Sequence, residues 1–513
     1  MKYHDILFPY GRPKERVSEE LLKDLRIDSV LLMLSQGPNQ LKYDTCYLPL
    51  TDKESVLYRH AIFQDIMRFD LFPVLMKFQE MMDTINLLED QLKRLDLPVL
   101  RYRYQLNRMI ELKKTLLDLL DYLKGLPLKS EGLARFREDL SEYVSSEAFI
   151  LLDKETSELK AALAEITFSV YVHDNHIAVR KIDGEELIKT GSTEFEKEVS
   201  GFFDQFIHGR APFQRSATDG WFLNPVEEQI LGALMTLFPE PFSRLEKMAG
   251  KKSRFVPDAL ISYHQDLGFY TVWMEYILPK QAAKLNFCFP MITGREDGFM
   301  AANCFDLVLA DQMLEAGQQV VRNNLVLKPG ERILVLTGPN QGGKTTYARM
   351  LGQLFYLGSL GIPVPGTAVK IFLPDRIFTH FERQESQQTL NGKLKDDLIR
   401  IHDILQKATK NSLILINEMF SSTTLRDAAW LGKNILSEIH DRGALCLYVT
   451  FINELASFIP GTVSLVSEIG EDLNQRTYQI VRAAADGKAY AKSMIQQYGL
   501  TYESISERIG DRE

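Results

Sequence analysis

Nine consecutive residues constrain this chain more than any others: Gly338, Pro339, Asn340, Gln341, Gly342, Gly343, Lys344, Thr345 and Thr346. Gly338, Gly343, Lys344 and Thr345 fill the fixed positions of a phosphate-binding loop. An apolar run at 333–336 leads in and reads as a buried strand. Residues 345–356 follow as a helix with Met350, Leu351 and Leu354 on one side. Strand, glycine loop and helix form the context the motif needs. Glycines let backbone N–H groups close around phosphate oxygens, and the helix N-terminus adds positive potential. Lys344 is expected to reach the β- and γ-phosphates of ATP, and the Thr345 hydroxyl to bind Mg²⁺.

A second motif gives the loop its chemistry. The apolar run 412–416 ends in Asn417 and Glu418. A strand in that position usually ends in two acids. The first holds Mg²⁺ through water and the second activates the attacking water. Asn417 keeps an acceptor for a Mg²⁺-bound water but brings no charge. Glu418 remains the candidate general base. The expected enzyme is therefore a slow ATPase. Downstream, the polar stretch 421–424 and Asp427 reach either the nucleotide or a second subunit, or simply connect strand to helix.

The other 500 or so residues need several cores, because 513 residues exceed what one ordinary core holds. A hydrophobic content of 45% and a net charge of −9 describe an ordinary globular chain and argue mildly against nucleic acid as a general partner. Cys46, Cys288, Cys304 and Cys446 lack metal or disulfide spacing and fit a reducing compartment. No signal peptide or membrane-length apolar run is apparent, so the expected location is cytoplasmic.

In chain order, residues 1–165 read as mostly helical, with breaks at Leu97-Pro98 and at Gly125 to Pro127. Residues 166–172 and 177–182 are β-branched and aromatic and read as a hairpin. Helices resume over 226–300. A long helix leaving the body, a small β tip over 166–225 and a returning helix make a protruding arm. Residues 301–483 alternate strands and helices as an α/β nucleotide-binding domain, closed by an antiparallel pair at 463–469 and 476–481. Residues 484–513 read as two short helices. Trp430 reads as core. Arg101 to Tyr104, with Arg108, Lys113 and Lys114, interleaves basic and aromatic residues and either touches phosphates or forms a solvated face. Lys247, Lys251, Lys252 and Arg254 form a second such cluster.

Together these segments resemble the MutS family of DNA-repair ATPases. The residues that carry the resemblance are Thr337 to Tyr347, with Pro339-Asn340 after the first glycine; Asp375 to Thr379; and Leu413 to Glu418 with Ser421 to Thr424. Pro49 to Asp52, with Arg59, Ala61 and Ile62, is similar to the start of that family's helical core. Ala489 to Ala491 and Tyr498 to Leu500 are similar to its ending. The resemblance implies a multidomain fold: an α-helical core with a lever arm and small β-hairpin tip, then an α/β P-loop ATPase domain of the ABC-ATPase type. It also implies a homodimer through the ATPase domains, gated by ATP around DNA.

The chain departs from that family in several places. The mismatch-reading domain and connector have no counterpart before about residue 30, which points to a DNA structure or duplex rather than a mispair. Gly392-Lys393-Leu394 stands where the family has a Ser-Thr-Phe run that contacts the partner's nucleotide. Phe451 replaces a histidine, and Val320 falls near the expected adenine-stacking aromatic. The competing expectation is a nucleotide-gated interaction dimer of the same fold without stable DNA binding. A small-molecule kinase is a third, which leaves the long helical region without a role.

Overall fold

The computed structural model describes residues 1–13, 17–36, 47–92, 97–173, 176–182, 203, 206, 225–249, 256–339, 341–382, 392–469, 476–485 and 499–510. These fall into two compact units. One comprises Met1–Ile6 and Asp65–Thr271; the other comprises Leu7–Gln64 and Val272–Glu513.

The chain opens with α1 (Glu19–Asp24), α2 (Ile27–Gln36) and α3 (Lys53–Arg68). Ser18 caps α1 by accepting from Leu21 N, and Asp52 caps α3 by accepting from Ser55 N at 2.7 Å. Then come α4 (Phe72–Leu92), α5 (Pro98–Lys124), α6 (Glu131–Val144) and α7 (Glu147–Ala164). Pro98 opens α5 where its missing N–H costs nothing. Strands β1 (Phe168–His173) and β2 (His176–Lys181) pair antiparallel, with Val170 opposite Val179. Three helices follow: α8 (Pro225–Leu237), α9 (Pro239–Ala249) and α10 (Asp258–Ala282).

The first unit's core joins α5, α7, α8 and α9 through Leu106, Leu163, Ile230, Leu234 and Leu245, with the β1–β2 pair against it. This burial corrects one expectation. Arg103 and Tyr104 are interior, and Arg103 Nε donates to the Phe206 carbonyl. Arg108 is bound to Tyr104 and Glu111, and Lys113 to Asp153. The basic–aromatic run is part of the packing rather than an open phosphate surface. Of the second basic cluster, Lys251, Lys252 and Arg254 lie outside the described residues.

The second unit holds short strands β3 (Phe287–Cys288), β4 (Met291–Ile292), β5 (Phe299–Cys304) and β6 (Asn323–Leu327), with α11 (Leu307–Glu315) between β5 and β6. Next come β7 (Ile333–Thr337), α12 (Lys344–Ser359), β8 (Val364–Pro365), β9 (Ala368–Ile371), β10 (Ile377–Phe381) and α13 (Lys393–Lys407). The last elements are β11 (Leu413–Asn417), α14 (Leu425–Arg442), β12 (Leu445–Val449), β13 (Val463–Ile469), β14 (Arg476–Arg482) and α15 (Tyr502–Gly510).

The main sheet has the order β10-β11-β12-β7-β13-β14. All pairs are parallel except the last, β13 with β14. Every residue of β7, β11 and β12 is buried, as a parallel sheet covered on both faces requires. A second sheet, β4-β9-β5-β6, lies in the same unit. The strands read at 412–416, 463–469 and 476–481 are all present, so this unit is a mixed helix and sheet domain of the expected class.

Helix α12 is buried along most of its length, on every side. The N-terminal segment supplies part of its cover. Gln353 donates to the Leu25 carbonyl at 3.0 Å, and the fully buried Arg59 donates to the carbonyls of Leu7 and Leu360. Gly352 lies at the tightest contact. A Cβ there would stand 2.3 Å from Leu25 Cδ2 and 2.7 Å from Leu415 Cδ1. Trp430, read as core, is instead 65% exposed on α14, because the face it occupies is the one turned from the sheet. Gly352→Ala should lose about 1–3 kcal/mol of stability through overpacking. Denaturant unfolding followed by far-UV circular dichroism checks this; an unchanged midpoint would show that Leu25 moves aside freely.

Candidate nucleotide site

Backbone conformation builds the loop after β7. Gly338 has φ 137° and Gly343 has φ 85°, both left-handed-side values that favour glycine. Space requires glycine as well. A Cβ on Gly338 would lie 2.9 Å from Ser467 Cβ, and one on Gly342 would lie 2.6 Å from Ser467 Oγ. Ser467 Oγ donates to the Gly342 carbonyl at 2.8 Å, so β13 clamps the loop from outside. Gly342 N bonds back to the Pro339 carbonyl, which closes the turn. Asn340 lies outside the described residues.

Lys344 is the first residue of α12, and its side chain is almost wholly buried. Its ammonium donates to the Gly338 and Pro339 carbonyls at 3.0 and 2.9 Å, and stands 3.5 Å from Glu418 Oε1. A buried cation needs such partners, and phosphate oxygens are of the same kind. Beside it, Thr345 Oγ1 donates to Asn417 Oδ1 at 3.2 Å. Lys344, Thr345, Asn417 and Glu418 therefore meet at the C-terminal ends of β7 and β11. Thr346 lines the pocket over the loop as well, and its hydroxyl accepts from Arg349 Nη2 at 3.3 Å.

Glu418 and Phe420 both have positive φ, 52° and 66°, conformations that side chains rarely adopt. Glu418 N donates to the Val449 carbonyl at 3.0 Å, which holds the strained bend. Strain of this kind marks places where a side chain must be aimed.

A pocket of about 640 Å³ opens over the loop, lined among others by Met313, Val320, Gln341, Thr345, Glu418 and Tyr478. That volume suits a nucleotide. Its residues fit ATP with Mg²⁺: a buried ammonium, a hydroxyl beside a carbonyl acceptor, and a bare backbone loop. When bound, the metal would be held by Thr345 with Asn417 beyond it, and would neutralise phosphate charge.

Two pocket residues had no signal in the sequence. Tyr478 sits on β14 with φ 56°, its Cβ and Cδ1 each 3.6 Å from where a Gly343 Cβ would be. Asn323 holds it there: Nδ2 donates to the Tyr478 carbonyl at 3.2 Å, and Oδ1 accepts from Ile480 N at 2.8 Å. An aromatic ring thus faces the pocket although Val320 supplies none. Only the approach of β6 in one sheet to β14 in the other creates this pairing.

The polar stretch after Glu418 is engaged locally. Thr424 caps α14 by accepting from Asp427 N and also bonds Asp427 Oδ2. Ser421 Oγ donates to Glu382 Oε1 at 2.6 Å, and Lys393 Nζ binds both. Lys393 is therefore held within its own chain, where the sequence left open a phosphate in trans.

Comparison with known proteins agrees with this geometry. The MutS domain V family model matches residues 334–506. Over 188 residues the chain is 30% identical to the endonuclease MutS2 of Thermus thermophilus, covering 36% of this chain and 25% of that protein. It is 25% identical over 291 residues to the DNA mismatch repair protein MutS of Rickettsia typhi, covering 54% of this chain and 32% of that protein. With the MutS of Chlorobium phaeobacteroides, identity is 27% over 230 residues, 44% of this chain and 26% of that protein. The chain thus spans about a quarter to a third of the length of these relatives. The loop, the strand that ends in Asn417 and Glu418, and the closing β13–β14 pair all fall within the matched region, and residues 334–506 are a domain V of the MutS family.

Proposed function

We propose that the chain binds ATP and Mg²⁺, hydrolyses ATP slowly, and uses that cycle to gate paired arms around DNA in a repair or recombination setting. The meeting of Lys344, Thr345, Asn417 and Glu418 under one pocket carries this reading. Glu418 is the general base, Lys344 the phosphate ligand, and Thr345 with Asn417 the metal side. The names of the relatives, mismatch repair proteins and an endonuclease, support a DNA context. The helices of residues 1–165 and 226–300 act as core and lever, with the β1–β2 pair near the tip of the arm. The partner is a second copy, joined through the ATPase domains. Leu425 and Trp430, 61% and 65% exposed on α14, offer apolar surface for that contact. A cytoplasmic location suits this role; no helix among the described residues is long and apolar enough to cross a membrane. The net charge of −9 favours a second reading, a nucleotide-gated interaction dimer that does not hold DNA.

One pair of measurements tests both readings. Lys344→Ala should weaken ATP binding about a hundred-fold or more in a fluorescence titration, since charge-assisted bonds to the phosphates are lost. In the parent chain, ATP should change the affinity for duplex or junction DNA, and log affinity should fall linearly with log salt. Unchanged ATP affinity removes Lys344 from the site. ATP binding without any salt-sensitive DNA binding selects the interaction dimer.

Asn417→Asp should speed turnover and lower the Mg²⁺ requirement. Asparagine keeps the acceptor geometry toward Thr345 but lacks the charge. In a partly dehydrated site that charge is worth on the order of 1–3 kcal/mol, about ten- to a hundred-fold. Asp427, the neighbouring acid, is committed to the α14 cap. Phosphate release across a Mg²⁺ series decides it: equal or slower turnover with the same Mg²⁺ dependence would mean that the site is built around asparagine.

Tyr478→Ala should reduce ATP affinity about five- to thirty-fold through lost stacking, while inorganic triphosphate binds as before. Asn323→Ala should act in the same direction, because it frees the strained Tyr478 backbone. Equal losses for ATP and triphosphate would show that Tyr478 supports the loop and does not touch the base.

A further inference from the structure

A second set of cations lies at the other end of β7, roughly 15 Å from the nucleotide loop. Arg332 immediately precedes β7, and Arg295 opens a short 3-10 turn, Arg295–Asp297. Both side chains run to Gly443, the residue with φ 74° that ends α14. A Cβ on Gly443 would lie 3.1 Å from Arg332 Nη1 and 3.6 Å from Arg295 Nη2. Two guanidinium groups thus converge on one point of bare backbone.

Their charge is offset only in part, by Glu296, which acts on both. Arg295 Nη2 is shut off from water and has no hydrogen-bond partner among the described residues. The nearest acid, Glu296, is 3.9 Å from Arg332 Nη2 and its side chain is 76% exposed, so solvent screens it. Arg442, next to Gly443, also keeps a buried Nε without a partner among the described residues. The C-terminus of α14 adds about half a negative charge. Its last carbonyls nevertheless accept no hydrogen bond from Arg295 or Arg332 among the described residues, so the helix end does not account for the convergence. The cleft beside Arg295 and Arg332, lined also by Lys328, Glu296 and Glu331, has about 20 Å³, room for one oxygen atom.

We propose that Arg295 and Arg332, over Gly443, bind a dianionic phosphate group separate from the nucleotide loop. A carboxylate would neutralise one guanidinium; a phosphate dianion neutralises both and presents oxygens to two forks at once. The source is either free phosphate or a terminal phosphate ester, and the shared chemistry is the dianion.

The test is a melting experiment on the full chain, with inorganic phosphate titrated against chloride at constant ionic strength. Ligand that binds only the folded state raises the melting temperature. Phosphate should raise it in the parent chain and still raise it in Lys344→Ala, where the nucleotide loop no longer contributes. In Arg295→Gln and in Arg332→Gln the half-saturating phosphate concentration should rise about tenfold or more. An increment that survives both substitutions unchanged, or that vanishes in Lys344→Ala, overturns the site. Gly443→Asp provides a check that needs no phosphate. Aspartate and asparagine both tolerate this backbone conformation and have the same shape, but only aspartate delivers a negative charge to the two guanidinium groups. Gly443→Asp should melt above Gly443→Asn in chloride and ignore phosphate. Equal melting of the two in chloride overturns the proposal. A 5′-phosphorylated oligonucleotide and its dephosphorylated twin separate the sources. A response to the phosphorylated strand alone assigns an ester end. No response to either, with the phosphate effect intact, assigns the free anion. Equal responses to both strands overturn the dianion assignment.

Discussion

Helix α12 begins with the lysine of the phosphate loop and is buried along most of its length. A helix apolar on all sides cannot lie on a surface; it needs cover all round. The main sheet supplies one side through Leu415. The other cover comes from distant sequence: Leu25, Arg59 and the cap residue Asp306, whose carboxylate accepts from Gln353. Burial pushes the Asp306 carboxyl up, against the pull of Arg349. Lys344 and Thr345 are thus fixed at the end of a deeply enclosed rod, which limits how far they can wander.

Around that rod the backbone is held in conformations it would not choose. Gln341, Glu418, Phe420 and Tyr478 all have positive φ. At Glu418 and at Tyr478 the structure provides a specific restraint: the Val449 carbonyl in one case and the Asn323 amide in the other. The cost of each bend, of order 1–3 kcal/mol, is met by packing elsewhere. Such a site is rigid where it aims side chains and soft in charge, because Asn417 stands where a second acid would have balanced the metal.

The loop, its strand and helix, and the strand that ends in Asn417 and Glu418 were legible because their chemistry is local: a fixed spacing of glycines, a lysine and an apolar run. The antiparallel closing pair was legible for the same reason. Trp430 was misread because hydrophobicity alone does not say which side of α14 faces the sheet. The run from Arg101 to Tyr104 was misread because burial of an arginine depends on a carbonyl a hundred residues away. Ser467, Asn323 and Tyr478 had no signal, since strand order brings β13 and β14 beside the loop and packing between two sheets brings β6. The cover that Leu25 and Arg59 give to α12 was equally invisible, because it is a matter of tertiary contact and not of pattern.

That last contact has a consequence for how the chain is made. Leu25 leaves the ribosome 328 positions before Gln353, the side chain that binds its carbonyl. At roughly 5–20 residues per second, the early segment waits on the order of 15–60 s for its partner. Residues 65–271, nearly all of the other compact unit, are synthesised entirely within that interval. Nascent α1, α2 and α3 therefore emerge with apolar faces and no native lid. The chain must either shelter them by chaperone or keep them loosely structured until α12 appears. Contacts of such sequence separation also slow the search for the native state.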